Sequence, residues 1–309
     1  MLETLIIGKD SKFGLTKDIT ILEDAIRRAG TTSIDSVGIR DRSLIDRLLR
    51  RKRAGTAIHI ERVFPRWLSA ADRHILIPNQ ERFPHRHLRR LRKIDLVLAK
   101  SHHAVEIFRS HGATTDYLGF TSEDLLDTSV ERDWDGFFHL AGGSTLKGTE
   151  DLLALWDKHP EWPMLTVVQK EHLKPAHIPA NVHHISAYVS DQDLRVLQNR
   201  LGIHLCPSRA EGWGHYLVES MALGALILTT DAPPMNEHVS AESAVLVSYD
   251  RTEPRRIGTS FFVDQAALEA KIEMIIAMPL ATKQAFGEAA RRAYLEIDRD
   301  FHARIKTFV

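Results

Sequence analysis

The chain is poor in cysteine: Cys206 is the only one among 309 residues. An internal disulfide is therefore excluded, and the composition suits a reducing compartment. Aromatics are sparse, at 7%, and Phe83 is the only Phe, Tyr or Trp in the two basic runs discussed below, too little for stacking on successive bases, so nucleic-acid binding is an unsupported reading. No apolar run approaches the ~20 residues that span a bilayer. The opening MLETLIIGKD carries Glu3 and only a short apolar stretch, Leu5–Ile7, and reads as a first strand, not a secretory signal. The expected location is cytoplasmic, with peripheral contact at the inner face of the membrane left open. Neither the strict nicotinamide fingerprint G-x-G-x-x-G after the first strand nor the G-x-x-x-x-G-K-S/T phosphate loop is present. The seventeen histidines include the pairs His102-His103 and His183-His184, yet no spacing resembles a zinc site. No metal site is expected. Repeats and low-complexity tracts are also lacking.

Net charge is zero, but it is unevenly spread. Residues 1–130 hold 23 Lys+Arg against 17 Asp+Glu, and residues 131–309 hold 18 against 24. Most of the basic excess lies in Arg47–Arg53 (RLLRRKR) and Arg82–Lys93 (RFPHRHLRRLRK). These runs read either as solvated helix faces or as a surface for an anionic partner such as lipid headgroups or a polyphosphate-linked acceptor.

Strand and helix patterns alternate through both halves. In the first, strands are expected at Leu5–Ile7, Ser33–Ile39, Thr56–Ile60, Ile75–Ile77 and Asp95–Ala99. Helices are expected at Ile21–Ala29, Ser43–Arg53 (capped by Ser43) and Ser101–Ser110. Gly119–Asp135 is polar and acidic and suits a linker. The second series places strands at Phe137–Ala141, Leu165–Gln169, Val182–Ile185, Gly202–Cys206 and Ala225–Thr229. Helices there are expected at Thr149–His159 (capped by Thr149), Asp191–Asn199, His215–Leu223, Gln265–Ala277 and Ala281–Asp300. Such alternation predicts α/β architecture: two Rossmann-like doubly wound domains facing a cleft, with ligands at the carboxyl ends of the strands. The expected domains are 1–125 on the acceptor side and 126–280 on the nucleotide side. A closing helical segment, 281–309, is expected to cross back to the first.

The informative stretch is Leu205–Glu237, LCPSRAEGWGHYLVESMALGALILTTDAPPMNE. A strand ends at Cys206, and a loop with Gly212 and Gly214 leads into a helix. Glycines before a helix admit a ligand close to the backbone, and the free N–H groups of the first turn then face it, which makes an anion site. Glu211 and Glu219 bracket this loop with seven residues between them. A diphosphate resting on the N–H groups would leave Glu219 for ribose hydroxyls and Glu211 for sugar hydroxyls. An ordinary strand–turn–helix with exposed glutamates is the alternative.

The segment closely resembles the E-x7-E region of glycosyltransferase family 4, retaining enzymes of GT-B architecture. Pro207, Ser208, Glu211, Gly212, Trp213, Gly214, Glu219, Met221, Ala222, Gly224, Asp231, Pro234 and Glu237 all fall on its pattern. The resemblance implies that Glu211 faces the donor sugar, Glu219 holds the ribose, and the backbone of His215, Tyr216 and Leu217 after Gly214 meets the diphosphate. Leu140–Gly148 (LAGGSTLKG), with Gly142, Gly143 and Ser144, looks like the first strand and turn of the same nucleotide domain. Lys147 falls on the lysine that neutralises the leaving diphosphate, where a fixed cation lowers the barrier. The family's arginine five positions earlier is replaced by Gly142. Arg209 or another cation is the expected substitute. Tyr188–Asp191 matches a loop that packs near the base. In the first half the likeness is one of outline. Phe13, Gly14 and Leu15 sit where relatives have a glycine-rich loop facing the donor. Gln80 and Glu81 stand where relatives place a histidine that touches the sugar, and Lys100 and Ser101 follow another strand end on the acceptor side.

What the resemblance implies is transfer of a sugar from a nucleotide sugar, UDP- or GDP-linked, with retention and without a metal or other cofactor. The acceptor is unknown, lipid-linked or otherwise anionic. Asp133-Trp134-Asp135 has the D-x-D form of a different glycosyltransferase architecture but is expected to precede its strand, in the linker. Rival readings are an epimerase or phosphorylase on the same architecture, and a nucleotide-sugar-binding or scaffolding protein that has lost catalysis.

Overall fold

The computed structural model describes residues 2–9 and 14–308, so Phe13 lies outside the described residues, as do the side-chain surroundings of Leu15. The chain divides into two compact units. Unit 1 comprises Met1–Thr121, Pro254–Thr259 and Ile297–Val309; unit 2 comprises Ser122–Glu253 and Ser260–Glu296. The main division thus falls between Thr121 and Ser122, and the chain crosses it more than once.

Unit 1 runs β1 (Leu2–Gly8), α1 (Gly14–Arg28), β2 (Ile34–Gly38), α2 (Leu44–Leu48), β3 (Ala54–Glu61), β4 (Arg73–Pro78), β5 (Leu96–Ala99), α3 (His102–Ser110) and β6 (Thr115–Tyr117). Its six strands are parallel in the order β2-β1-β3-β4-β5-β6. Leu5, Ile6, Ile7, Ala57, Ile58, Ile75 and Leu76 are fully buried, which is why these strands read as continuous apolar runs and not as alternating ones.

Helix α1 begins at Gly14, so the expected start at Ile21 is too late and Gly14 and Leu15 lie in the helix and not in a loop; two further expectations in this unit need correction. The helix expected over Ser43–Arg53 ends at Leu48, and Ser43 does cap it, accepting from the Asp46 N–H at 3.0 Å. The basic helix expected near Arg82–Lys93 is instead a pair of 3-10 segments, Gln80–Arg82 and His85–Lys93. The three-residue strand β6 was not anticipated.

Unit 2 contains β7 (Asp133–Gly142), α4 (Thr149–Lys158), β8 (Leu165–Gln169), β9 (Val182–Ile185), α5 (Asp191–Arg200), β10 (Leu201–Cys206), α6 (His215–Ala222), β11 (Leu226–Thr230) and β12 (Val245–Val247). A two-stranded sheet follows, β13 (Tyr249–Arg255) with β14 (Gly258–Val263), its Pro254–Thr259 tip grouped in unit 1, then α7 (Gln265–Ile276) and α8 (Leu280–Ile305). The parallel sheet has the order β12-β11-β10-β7-β8-β9. Phe137, Trp156, Leu165, Ile203, Leu228 and Ile272 pack its core. The last strands, β12 to β14, escaped the sequence reading.

Strand β7 begins at Asp133, so Asp133-Trp134-Asp135 opens the strand and does not sit in a linker. Helix α4 is capped by Gly148, not by the Thr149 side chain, whose hydroxyl instead meets His139 Nε2 at 2.9 Å. The single helix α8 extends from Leu280 to Ile305, with residues from Ile297 onward grouped in unit 1.

Candidate functional site

In unit 2 the chain returns to the middle of the sheet after β9, laying β10 against β7. In an open α/β sheet, the crevice above the carboxyl ends of two such strands is where ligands settle. The turn after β7 holds Gly142, Gly143, Ser144, Lys147 and Gly148. The loop after β10 holds Ser208, Arg209, Glu211, Gly212, Trp213 and Gly214.

These two loops are in close contact. A Cβ on Gly148, whose φ is +68°, would stand 2.4 Å from the Pro207 carbonyl oxygen, so no other residue fits. Arg209 N–H donates to the Leu146 carbonyl at 2.8 Å. Beneath them His139 of β7 faces the Leu205 carbonyl of β10 through Nδ1 at 2.7 Å. Only a protonated nitrogen can make that contact, and burial holds His139 neutral, with its pKa lowered to about 4. Its Nε2 is therefore the acceptor for the Thr149 hydroxyl. One buried ring thus ties β7, β10 and the start of α4 together.

The charged centre follows from this packing. Lys147 Nζ lies 2.6 Å from Glu211 Oε1, and both side chains retain 14% of their exposure. Ser208 Oγ donates to the same carboxylate oxygen at 2.6 Å. The Tyr216 hydroxyl lies 2.6 Å from Ser208 Oγ. With the serine proton committed to Glu211, the tyrosine must donate. Burial raises the Tyr216 pKa well above its ordinary value, keeping that proton in place. Lys147 Nζ also sits 3.3 Å from the centroid of the Tyr216 ring, a cation–π contact that fixes its direction. The lysine is held by a carboxylate and a ring face yet stays within reach of solvent.

Helix α6 begins at Gly214, which caps it at φ +90°. Its first residue, His215, contacts Ser122 Oγ through Nδ1 at 2.8 Å, and Trp213 Nε1 donates to the same oxygen at 3.3 Å. The Trp213 carbonyl accepts from His238 Nε2 at 2.8 Å. Burial keeps His238 neutral, at about 4. Leu217 and Glu219 are buried on the same helix. The structure therefore brings together Lys147, Ser208, Glu211, Trp213, Gly214, His215 and Tyr216.

Other expected site residues sit elsewhere. Arg209 is turned onto α4, with Nη2 2.9 Å from Asp151 and 3.4 Å from Glu150. The cation found beside the Gly142-Gly143 turn is Lys170. A Cβ on Gly143 would lie 3.1 Å from its Cδ and 3.7 Å from its Nζ, while Lys170 N–H donates to the Gly142 carbonyl at 2.9 Å. Tyr188 is 92% exposed in the loop after β9. In unit 1, Gly14 opens α1, and Gln80 and Glu81 are buried after β4. Lys100 is buried 2.6 Å from Asp18 Oδ2 and over the Phe120 ring. Sequence reasoning overlooked Lys170, Ser122, His139 and His238. Lys170 alone had a signal, as the first residue past the carboxyl end of β8.

Among the described residues, one group has metal-capable atoms mutually within 4.8 Å: His159, Glu269 and Glu273. It lies at the far end of α4 from Lys147, where Lys158 Nζ and His159 Nε2 both lie 2.7 Å from Glu269. Those cations account for the carboxylate.

Residues 167–293 match the family model described as glycosyl transferases group 1. No curated protein matches the chain significantly. Several solved structures share its fold. Sucrose-phosphate synthase from Thermosynechococcus elongatus is 13% identical with a TM-score of 0.73, covering 100% of this chain and 98% of its own. Anabaena HepE, solved with UDP and glucose, is 13% identical with a TM-score of 0.74, covering 100% and 99%. A glycosyltransferase from Rickettsia africae is 12% identical with a TM-score of 0.72, covering 99% and 97%. The two six-stranded parallel sheets with flanking helices are the paired Rossmann-like domains of the GT-B fold.

Proposed function

We propose that the chain is a glycosyltransferase that draws a sugar from a nucleoside diphosphate sugar held above β7 and β10. The observation that carries this reading is the Lys147–Glu211–Ser208–Tyr216 cluster at the sheet's switch point, beside a helix that opens with Gly214. The diphosphate would lie against the first N–H groups of α6 and the Lys147 ammonium, with Glu219 taking the ribose and Glu211 the sugar hydroxyls. Donor binding would separate Lys147 from Glu211 and free each for its own anion or hydroxyl.

In the proposed reaction the acceptor oxygen bonds to the anomeric carbon as the carbon–oxygen bond to the diphosphate breaks. Attack comes on the face the leaving group vacates, so configuration is retained, and the leaving phosphate oxygen takes the acceptor's proton. Lys147 and Lys170 offset the negative charge that develops there, in a role that needs no metal. The fold shared with HepE, solved with UDP and glucose, makes a uridine diphosphate sugar the first donor to test.

The test is thermal stabilisation across UDP, GDP and ADP and their sugar conjugates, followed by acceptor-free donor hydrolysis. A nucleotide at 100 times its Kd stabilises by about 2.7 kcal/mol. A clear shift with one nucleoside diphosphate that is lost in Glu219→Gln is the expected result; no shift with any of them overturns the assignment. Gly142, in place of the family's arginine, favours a second reading, a binding protein without turnover. Donor stabilisation with no hydrolysis or transfer would establish that instead.

A further inference from the structure

Helix α2 in unit 1 buries none of its residues. Leu44, Ile45, Leu48 and Leu49 are 68%, 63%, 83% and 59% exposed, although they lie within one arc of the helix as i, i+1, i+4 and i+5. An isolated five-residue helix does not persist in water. Here it is held from below. Buried Arg42 donates to the Asp46 and Arg51 carbonyls at 3.3 and 3.0 Å, and to the Arg66 carbonyl and Ser69 Oγ at 2.7 and 3.1 Å. The fold therefore keeps this apolar face rigidly exposed.

Cations surround it. Arg47 and Arg50 are exposed beside the leucines, and Arg51 and Lys52 follow, paired with Asp46 and Asp72. Arg50 has φ +49°, a conformation that favours glycine, yet the chain carries a cation there. A depression of about 330 Å³ continues the patch, lined by Leu44, Arg47, Leu48, Pro65, Arg66 and Ser69.

We propose that α2 and the arginine-rich turn after it dock unit 1 on an anionic bilayer, the four aliphatic side chains entering the headgroup boundary while Arg47, Arg50 and Arg66 meet lipid phosphates. Two arguments select this occupant. Leucines flanked by arginines on a short helix match the pattern of interfacial insertion, in which apolar burial and attraction to acidic lipids add. The patch also spans only a few residues, well short of the roughly 800 Å² each partner gives to a standard protein interface. A bilayer needs no such complementary area.

Flotation of the full chain with vesicles tests this. Phosphatidylcholine–phosphatidylglycerol vesicles should retain the protein and phosphatidylcholine alone should not. Leu44→Ser/Leu48→Ser and Arg47→Gln/Arg50→Gly should each lower retention at least tenfold with an unchanged melting temperature, because the altered side chains are exposed. Should either variant melt early, Leu48→Cys bearing an environment-sensitive dye decides the matter. Buried Cys206, its thiol pushed up to about 12, will not compete for label, and a blue shift with anionic vesicles is expected. The proposal fails if anionic lipid confers no retention, if the leucine variant binds as the parent does, if the dye does not shift, or if the patch instead drives a dimer that the leucine variant abolishes.

Discussion

Each unit contains a lysine 2.6 Å from a carboxylate and poised over an aromatic ring, and the two pairs differ in their access to solvent. Lys100 and Asp18 in unit 1 are 1% and 3% exposed, with Phe120 as the ring. Lys147 and Glu211 in unit 2 are each 14% exposed, with Tyr216 as the ring and Ser208 as a second donor to the carboxylate. The first pair is sealed from solvent. The second borders two glycine-bearing turns at a sheet switch point, where an incoming anion can compete for the lysine. Distance alone does not separate the two pairs; access does, and under the proposed function only the second can meet a ligand.

The sharpest way to break that comparison is to remove each lysine. Lys100→Ala takes away the cation beside a buried carboxylate and should cost about 3–5 kcal/mol of stability, read by urea denaturation. Lys147→Ala should cost less, because Glu211 keeps 14% of its exposure and the Ser208 hydroxyl as a donor. Its expected effect is on sugar transfer, lowered by about 10²–10³-fold in a radiolabelled donor assay. If Lys147→Ala unfolds the protein while Lys100→Ala merely slows it, the two roles have been assigned the wrong way round.

Acid separates the units less sharply. Burial lowers His139, His204 and His238 in unit 2 to about 4, and His59 in unit 1 to about 3. The unfolded chain binds protons at these sites from about pH 6.5 downward, while the folded chain does so only near pH 4 or below. Stability is therefore full above pH 6.5 and falls as the pH drops toward 4. Melting scans between pH 7.5 and 4.5 should show this decline, and His139→Gln should be weaker at neutral pH yet flatter in acid. A slope unchanged by that substitution would rule out His139 as a contributor.

The smallest effect belongs to Lys170. As a second cation beside the Gly143 turn, its replacement by Met should lower transfer about tenfold, or about 1.4 kcal/mol, with donor hydrolysis falling in parallel. No change in either rate would leave Lys147 as the sole cation of the leaving group.

Much of the second unit was legible in the sequence because its strands are apolar runs with glycine at the turns. Leu165–Gln169 and Val182–Ile185 have the bounds the residues suggested. Regions failed where local signals conflicted. RLLRRKR and HRHLRRLRK pattern as helices by spacing, but the first helix ends at Leu48 and the second run forms 3-10 turns. Tyr249–Arg255 was missed because this exposed strand, β13, lacks an apolar face.

By itself the sequence determined the alternation of strand and helix, the glycines at the strand ends, and the candidate acids and base of the loop after β10, since these are properties of neighbouring residues. Tertiary structure alone decided that Lys147 meets Glu211 across 64 residues, that Arg209 turns to α4 while Lys170 lies beside the Gly142-Gly143 turn, and that the leucines of α2 stay exposed. Those outcomes depend on which strands lie side by side and which faces are covered, and strand order is a long-range choice that no local pattern encodes.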